Sequence, residues 1–113
     1  MDKNFSQFKK EFKKYQDRFE LNNYKVYYAH CPLDSFAEIT ISQVDMVATV
    51  RLTSKLDGLD KKVFNPKKHA KHEALHLLIG RLESNGRHRY ISNDEMYEAT
   101  EELARKLDRL IKD

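Results

Sequence analysis

The stretch that decides the fold lies in the second half of the chain and reads NPKKHAKHEALHLLIGRL, residues 65–82. Asn65 suits a helix N-cap because its side chain can accept a hydrogen bond from a free amide of the first turn, and Pro66 suits the first helical position. We therefore expect a helix from Pro66 to Leu82, with Ser84-Asn85-Gly86 as its end. Its apolar second half predicts burial against a sheet.

Two further helices are expected, one towards each end of the chain. Residues 4–19 carry aromatic side chains every three or four positions, which is the period of one helical face. Ser92 and Glu95 have the spacing of a capping box, which predicts the start of a last helix that reaches about Ile111. Its apolar face is predicted to consist of Met96, Ala99, Leu103, Leu107 and Leu110.

The segment between the first two helices has the pattern of β-strands, rich in aromatic and β-branched residues. Residues 43–45 are short enough to form a hairpin between the second and third strands, and residues 30–34 are expected to form a loop. The predicted fold class is α+β, with a three-stranded antiparallel or mixed sheet. The strands are expected at Tyr24–Ala29, Ala37–Ser42 and Met46–Thr53.

Length and composition bound the classes of protein that remain. The 113 residues suit one domain, 1–113. Cys31 is the only cysteine, so no internal disulfide can form, which favours the cytoplasm. The sequence shows neither a signal peptide nor an apolar run near the roughly 20 residues of a membrane span. We expect a monomer with no membrane partner.

The charge pattern is that of an ordinary protein surface. Lysine and arginine total 21 against 18 aspartate and glutamate, for a net charge of +3, and the two signs are interspersed. The lysine pairs form no recognisable nucleic-acid-binding motif, so we do not expect a nucleic-acid partner.

The chemistry is expected on the helix of residues 66–82, at His72-Glu73-Ala74-Leu75-His76, an H-E-x-x-H motif. Positions i and i+4 lie on one helical face, so the two imidazoles can converge on one Zn²⁺. Zinc lowers the pKa of a bound water towards about 7, and Glu73 can take its proton as general base. The motif predicts His72 and His76 as ligands and Glu73 as the catalytic residue.

At this motif the chain resembles the zincins, in particular the minimal gluzincin-type metallopeptidases of archaea and phage-like genomes. The resemblance covers most of the chain through the motif, the order of elements and the length. It implies a zincin-like fold, peptide or protein substrates, and a third ligand Glu from the following helix, here between Glu95 and Glu102. Other zincin patterns fit poorly, because Gly80 stands where the spartan-like extension has His.

The third ligand has to be chosen among several glutamates of the last helix. Glu95 is already used by the capping box, which leaves Glu98, Glu101 and Glu102. Residues six to nine positions into an antiparallel helix are level with the histidines. Glu98 is the first choice because it lies nearer the predicted apolar stripe, with Glu101 as the alternative. Glu101 or Glu102 is expected to accept a histidine N–H.

Other residues carry weaker hypotheses. His69 is expected to contact a ligand residue or solvent and not the ion itself, and Tyr90 or Tyr97 could stabilise an oxyanion. His30, His88 and Cys31 are expected to be ordinary surface or packing residues. The alternative function is a non-catalytic metal-stabilised binding protein with a protein or nucleic-acid partner, which would have no use for a base at Glu73.

Overall fold

The computed structural model describes residues 2–59, 61–87 and 92–112. The observed elements confirm the α+β class and the expected order of one helix, three strands and two helices. None of the described helices is long and apolar enough to cross a membrane. The elements are α1 (Lys3–Arg18), β1 (Lys25–Cys31), β2 (Ala37–Ser42), β3 (Val47–Thr53), a 3-10 turn (Lys61–Val63), α2 (Pro66–Arg87) and α3 (Asn93–Leu110).

The sheet is mixed, with strand order β1-β3-β2. β2 and β3 form the expected antiparallel hairpin, whereas β1 pairs parallel with β3. In this register Cys31 is level with Thr53, so the ladder carries β1 two residues beyond its expected end. The prediction that His30 and Cys31 belong to a loop is therefore wrong.

The core lies between the sheet and the helices α1 and α2. The aromatic side chains of α1 enter it at the predicted helical period. From α2 it receives Ala70, Ala74 and Leu77. Since His72 and His76 are two positions after the two alanines, about 200° around the helix, they face away from the core. The buried cluster comprises Phe8, Phe12, Tyr15, Leu21, Tyr24, Ala48, Val50, Leu52, Ala70, Ala74 and Leu77.

The helix α2 is longer than predicted, since it continues through the expected stop at residues 84–86 to Arg87. Gly86 serves a close approach here. A Cβ on it would meet the end of the Met96 side chain, so glycine leaves room for that side chain of α3. Arg87 also pairs with Glu83 one turn earlier, which supports the last turn.

The helix α3 begins as predicted, because Ser92 and Glu95 form a full capping box. Its predicted apolar face is confirmed only at Met96 and Leu107, which are partly buried. Ala99 is exposed and Leu110 is 74% exposed, whereas the buried residues are Thr100 and Ala104. The face that α3 turns towards α2 is thus about one residue, or 100°, from the predicted stripe.

Candidate metal centre

The two motif histidines converge on one point beside α2. The Nε2 atoms of His72 and His76 are 3.2 Å apart, and both side chains are partly buried. This follows from their i,i+4 spacing on one helix. Burial lowers the pKa of His76, which favours the neutral imidazole that a metal ion requires.

The helix α3 contributes Glu101 to the same point. Its carboxylate oxygens lie 2.8 Å from Nε2 of His76 and 3.6 Å from Nε2 of His72. Among the described residues, His72, His76 and Glu101 form a group that could hold a metal ion, with ligand atoms all within 4.8 Å of one another.

The structure therefore brings in Glu101, the alternative candidate, and not the preferred Glu98. Glu98 is exposed and does not belong to the ligand group found among the described residues. The cause is the face of α3. Since Thr100 and Ala104 pack inward, Glu101 next to Thr100 is turned towards α2, whereas the argument for Glu98 assumed that Ala99 and Leu103 did so.

The spacing of the three donors suits tetrahedral coordination. Where ligand atoms lie about 2.0–2.1 Å from a tetrahedral ion, neighbouring ligand atoms are about 3.3–3.4 Å apart. The two Nε2 atoms are 3.2 Å apart, and Glu101 lies 2.8 Å from His76 through Oε1 and 3.6 Å from His72 through Oε2. These contacts of both carboxylate oxygens lie on either side of that value. Three protein ligands leave a fourth position for water or substrate, as catalytic sites do.

A second carboxylate of α3 orients His72 from behind. Oδ2 of Asp108 is 2.8 Å from Nδ1 of His72, so Nδ1–H donates to it and the lone pair of Nε2 is directed towards Glu101. This hydrogen bond is the main cause of the raised pKa of His72. The expected acceptor was Glu101 or Glu102, and the sequence signal for Asp108 is its place two turns after Glu101.

Glu73 is a buried carboxylate beside the ligand group. It is 7% exposed, and burial raises its pKa to about 7, with smaller raising effects from neighbouring carboxylates and a lowering effect from His72. It is not one of the three convergent ligands, which leaves its oxygens available to a proton. A cation bound to the ligand group would lower this raised pKa, because it favours the charged carboxylate.

His69 has a structural role at the start of α2. Its Nε2 accepts from the amide of Asn65, whose own side chain accepts from the amide of Lys68. This reciprocal pair works like a capping box, with a histidine one position later than the usual Glu or Gln. His69 also stacks on Phe36 at 4.7 Å. Burial lowers its pKa to about 4, so it stays neutral at pH 7.

A cleft of about 900 Å³ opens onto the ligand group. Its walls are β2 on one side and α2 on the other, and Tyr97 and Glu101 of α3 line it as well. Glu73, His72 and His76 all face into this space. A molecule in the cleft can therefore reach the metal ligands and the buried carboxylate at the same time.

The remaining candidates lie outside the ligand group, at least in the part of the chain that is described. His30 stacks on Phe5 at 4.7 Å, and its Nε2 lies 3.8 Å from Asp2. Cys31 is a free, partly buried thiol on β1. His88 and Tyr90 lie outside the described residues.

Comparisons with protein-family models, with curated proteins and with solved structures give no match.

Proposed function

We propose that this protein is a zinc-dependent metallopeptidase with His72, His76 and Glu101 as ligands and Glu73 as general base. The observation that carries the proposal is the convergence of two imidazoles and one carboxylate at the floor of an open cleft, beside a buried carboxylate that does not ligate. Structural zinc sites usually close with four protein ligands, whereas the described part of the chain supplies three. We also propose a cytoplasmic location, because a chain with a single cysteine is typical of a reducing compartment.

The proposed chemistry is hydrolysis of a peptide bond by water. When bound, a zinc ion would supply Lewis acidity, which acidifies water and polarises the carbonyl under attack. Glu73 accepts the proton as the water attacks and returns it to the leaving amine. Burial raises its pKa to about 7 without a cation, and a bound cation would lower that pKa and so favour the carboxylate that accepts the proton. Asp108 keeps His72 in the tautomer whose Nε2 can ligate.

The edge of β2 offers a natural place for the substrate main chain. Thr53 N donates to Phe36 O at 2.8 Å, so these two residues form a hydrogen-bonded pair of the antiparallel ladder. Pairing alternates along such a ladder, which directs the main-chain groups of Ile39 and Ile41 away from β3, on the free edge of β2. An extended peptide can add to this edge as a further strand.

The test is hydrolysis of an unfolded-protein or peptide library by zinc-loaded protein, compared with Glu73→Gln. Because general-base catalysis contributes about 10²–10⁴-fold, we expect hydrolysis to fall at least about 100-fold while zinc content and fold are kept. Glu83→Gln is the matched control, since Glu83 lines the cleft but is already paired with Arg87. If the wild type cleaves no member of the library while it holds zinc, the protein is instead a metal-stabilised binding protein.

A further inference from the structure

The side chain of Gln43 is held in a defined position over the cleft. It follows β2 at the start of the hairpin turn, and its Oε1 accepts from the hydroxyl of Tyr24 at 2.7 Å. Tyr24 is part of the buried core. The carboxamide of Gln43 is thus fixed from behind by a rigid donor, which decides where its Nε2 lies.

Gly80 provides the space that this side chain occupies. A Cβ on Gly80 would lie 3.0 Å from Nε2 of Gln43 and 3.1 Å from Cδ1 of Ile41. Glycine is disfavoured inside a helix, so its presence one turn after His76 marks a close approach of the hairpin to α2. Gln43 and Gly80 both line the cleft.

Nε2 of Gln43 has two N–H groups to donate. Within residues 2–59, 61–87 and 92–112, the only hydrogen bond of this carboxamide is the one that Oε1 accepts. A partly buried amide whose acceptor side is fixed and whose donor side is open is prepared for an acceptor from a ligand.

We propose that Gln43 is a substrate-binding residue whose Nε2 donates to a main-chain carbonyl of the bound peptide, and that Tyr24 is its positioning residue. This inference rests on the proposed peptidase function of the same cleft. This hydrogen bond would hold the peptide at a second point, on the hairpin side of the metal ligands. The distance between that point and the ligands is set by the length of α2 that separates them.

The distance between Gln43 and the metal ligands predicts which residue of a bound peptide Gln43 contacts. Gly80 is six residues after the level midway between His72 and His76, which is about 9 Å along the helix at 1.5 Å per residue. An extended peptide advances about 3.3 Å per residue, so the carbonyl that Gln43 reaches is about three residues from the bond over the metal. A peptide that ends only one residue beyond that bond on the hairpin side cannot use Gln43.

The experiment measures peptide affinity in the zinc-loaded Glu73→Gln background, where turnover does not interfere. The probe is the oligopeptide that the wild type cleaves fastest in the library, labelled with fluorescein, together with versions shortened one residue at a time from each end. Gln43→Met should weaken binding of the full peptide about 2- to 10-fold, the effect of one hydrogen bond. Gln7→Met, the same exchange at an exposed position of α1, should leave affinity unchanged.

Two further variants separate a binding role from a structural one. Gly80→Ala keeps the carboxamide but displaces it, and should weaken binding to a similar extent with unchanged zinc content. Tyr24→Phe should weaken binding alone and add nothing in the Gln43→Met protein. Shortening the peptide by the residue whose carbonyl Gln43 contacts should weaken its binding to the Glu73→Gln parent. The same shortening should leave its affinity for the Gln43→Met protein unchanged.

Equal affinity of Gln43→Met, Gly80→Ala and the parent for every peptide would overturn the assignment of Gln43 and leave the peptidase proposal standing. If no library member is cleaved or bound by zinc-loaded protein, both proposals fail together.

Discussion

The candidate metal centre is built from two helices that contribute in different ways. α2 supplies His72, Glu73 and His76 from five consecutive positions, so the local helical period alone brings the two imidazoles to one face. α3 supplies Glu101 and Asp108 from about thirty residues further along the chain, and their place depends on how the two helices pack. The positions of the α2 residues thus follow from the local sequence, whereas those of the α3 residues depend on tertiary contacts.

The largest effect should come from the residue that joins the two halves. Glu101→Gln removes a carboxylate that faces both histidines, so zinc should bind at least about 100-fold more weakly, beyond the 10- to 100-fold typical of outer partners. Glu98→Gln is the matched control, because Glu98 is exposed on the same helix. The measurement is competitive zinc titration against a chromogenic chelator.

Equal zinc affinity of Glu101→Gln and the wild type would show that α3 does not ligate. A loss at Glu98→Gln alone would restore the expectation from the sequence and require a different rotation of α3.

A middle effect is expected at Asp108, which acts on the ion only through His72. Asp108→Asn keeps the size of the side chain but removes the charge that holds Nδ1–H, so zinc affinity should fall about 10- to 100-fold. Asp94→Asn, on an exposed first-turn residue of α3, is the control. The same titration applies, and an effect as large as that of Glu101→Gln would point to direct ligation by Asp108.

The smallest effect concerns His69, which belongs to α2 but not to the ligand group. Its folded pKa of about 4 lies below the ordinary 6.5, so the unfolded chain binds more protons between these values. The contribution of neutral His69 to the free energy of unfolding is complete above about pH 6.5 and is lost as the pH falls towards 4.

His69→Gln keeps an acceptor for the Asn65 amide but cannot titrate, and should cost about 1 kcal/mol at pH 7 through lost stacking. Urea unfolding with a chelator present should show the wild type's advantage over the variant shrink and then reverse on acidification to pH 4, because the difference between the two pKa values outweighs the lost stacking. An advantage of the wild type that stays constant or grows would mean that His69 is not held neutral by the fold.

The same division explains how much could be predicted from the sequence. The order of elements, the hairpin and the capping box at Ser92 follow from local patterns and are confirmed. The face of α3 could not be predicted from its apolar residues, because that helix buries Thr100 and Ala104 against α2 and leaves Leu110 exposed. The choice between Glu98 and Glu101 depended on that face.

Two glycines show the same dependence on tertiary packing. Gly86 suggested a helix end, but α2 continues through it to Arg87, and the side chain of Met96 lies where a Cβ would be. Gly80 admits the side chain of Gln43, a contact between parts of the chain that no local pattern connects. Asp108 was missed for a related reason, since only the packed helices bring it behind His72.

Zinc content of the purified protein tests the central claim most directly. After dialysis against metal-free buffer, elemental analysis should give about one zinc per chain for the wild type and less than a tenth of that for His76→Ala. This variant removes one ligand but keeps α2 helical, because alanine is a strong helix former. A wild type without metal even after incubation with zinc, or a His76→Ala protein with full content, would contradict the account.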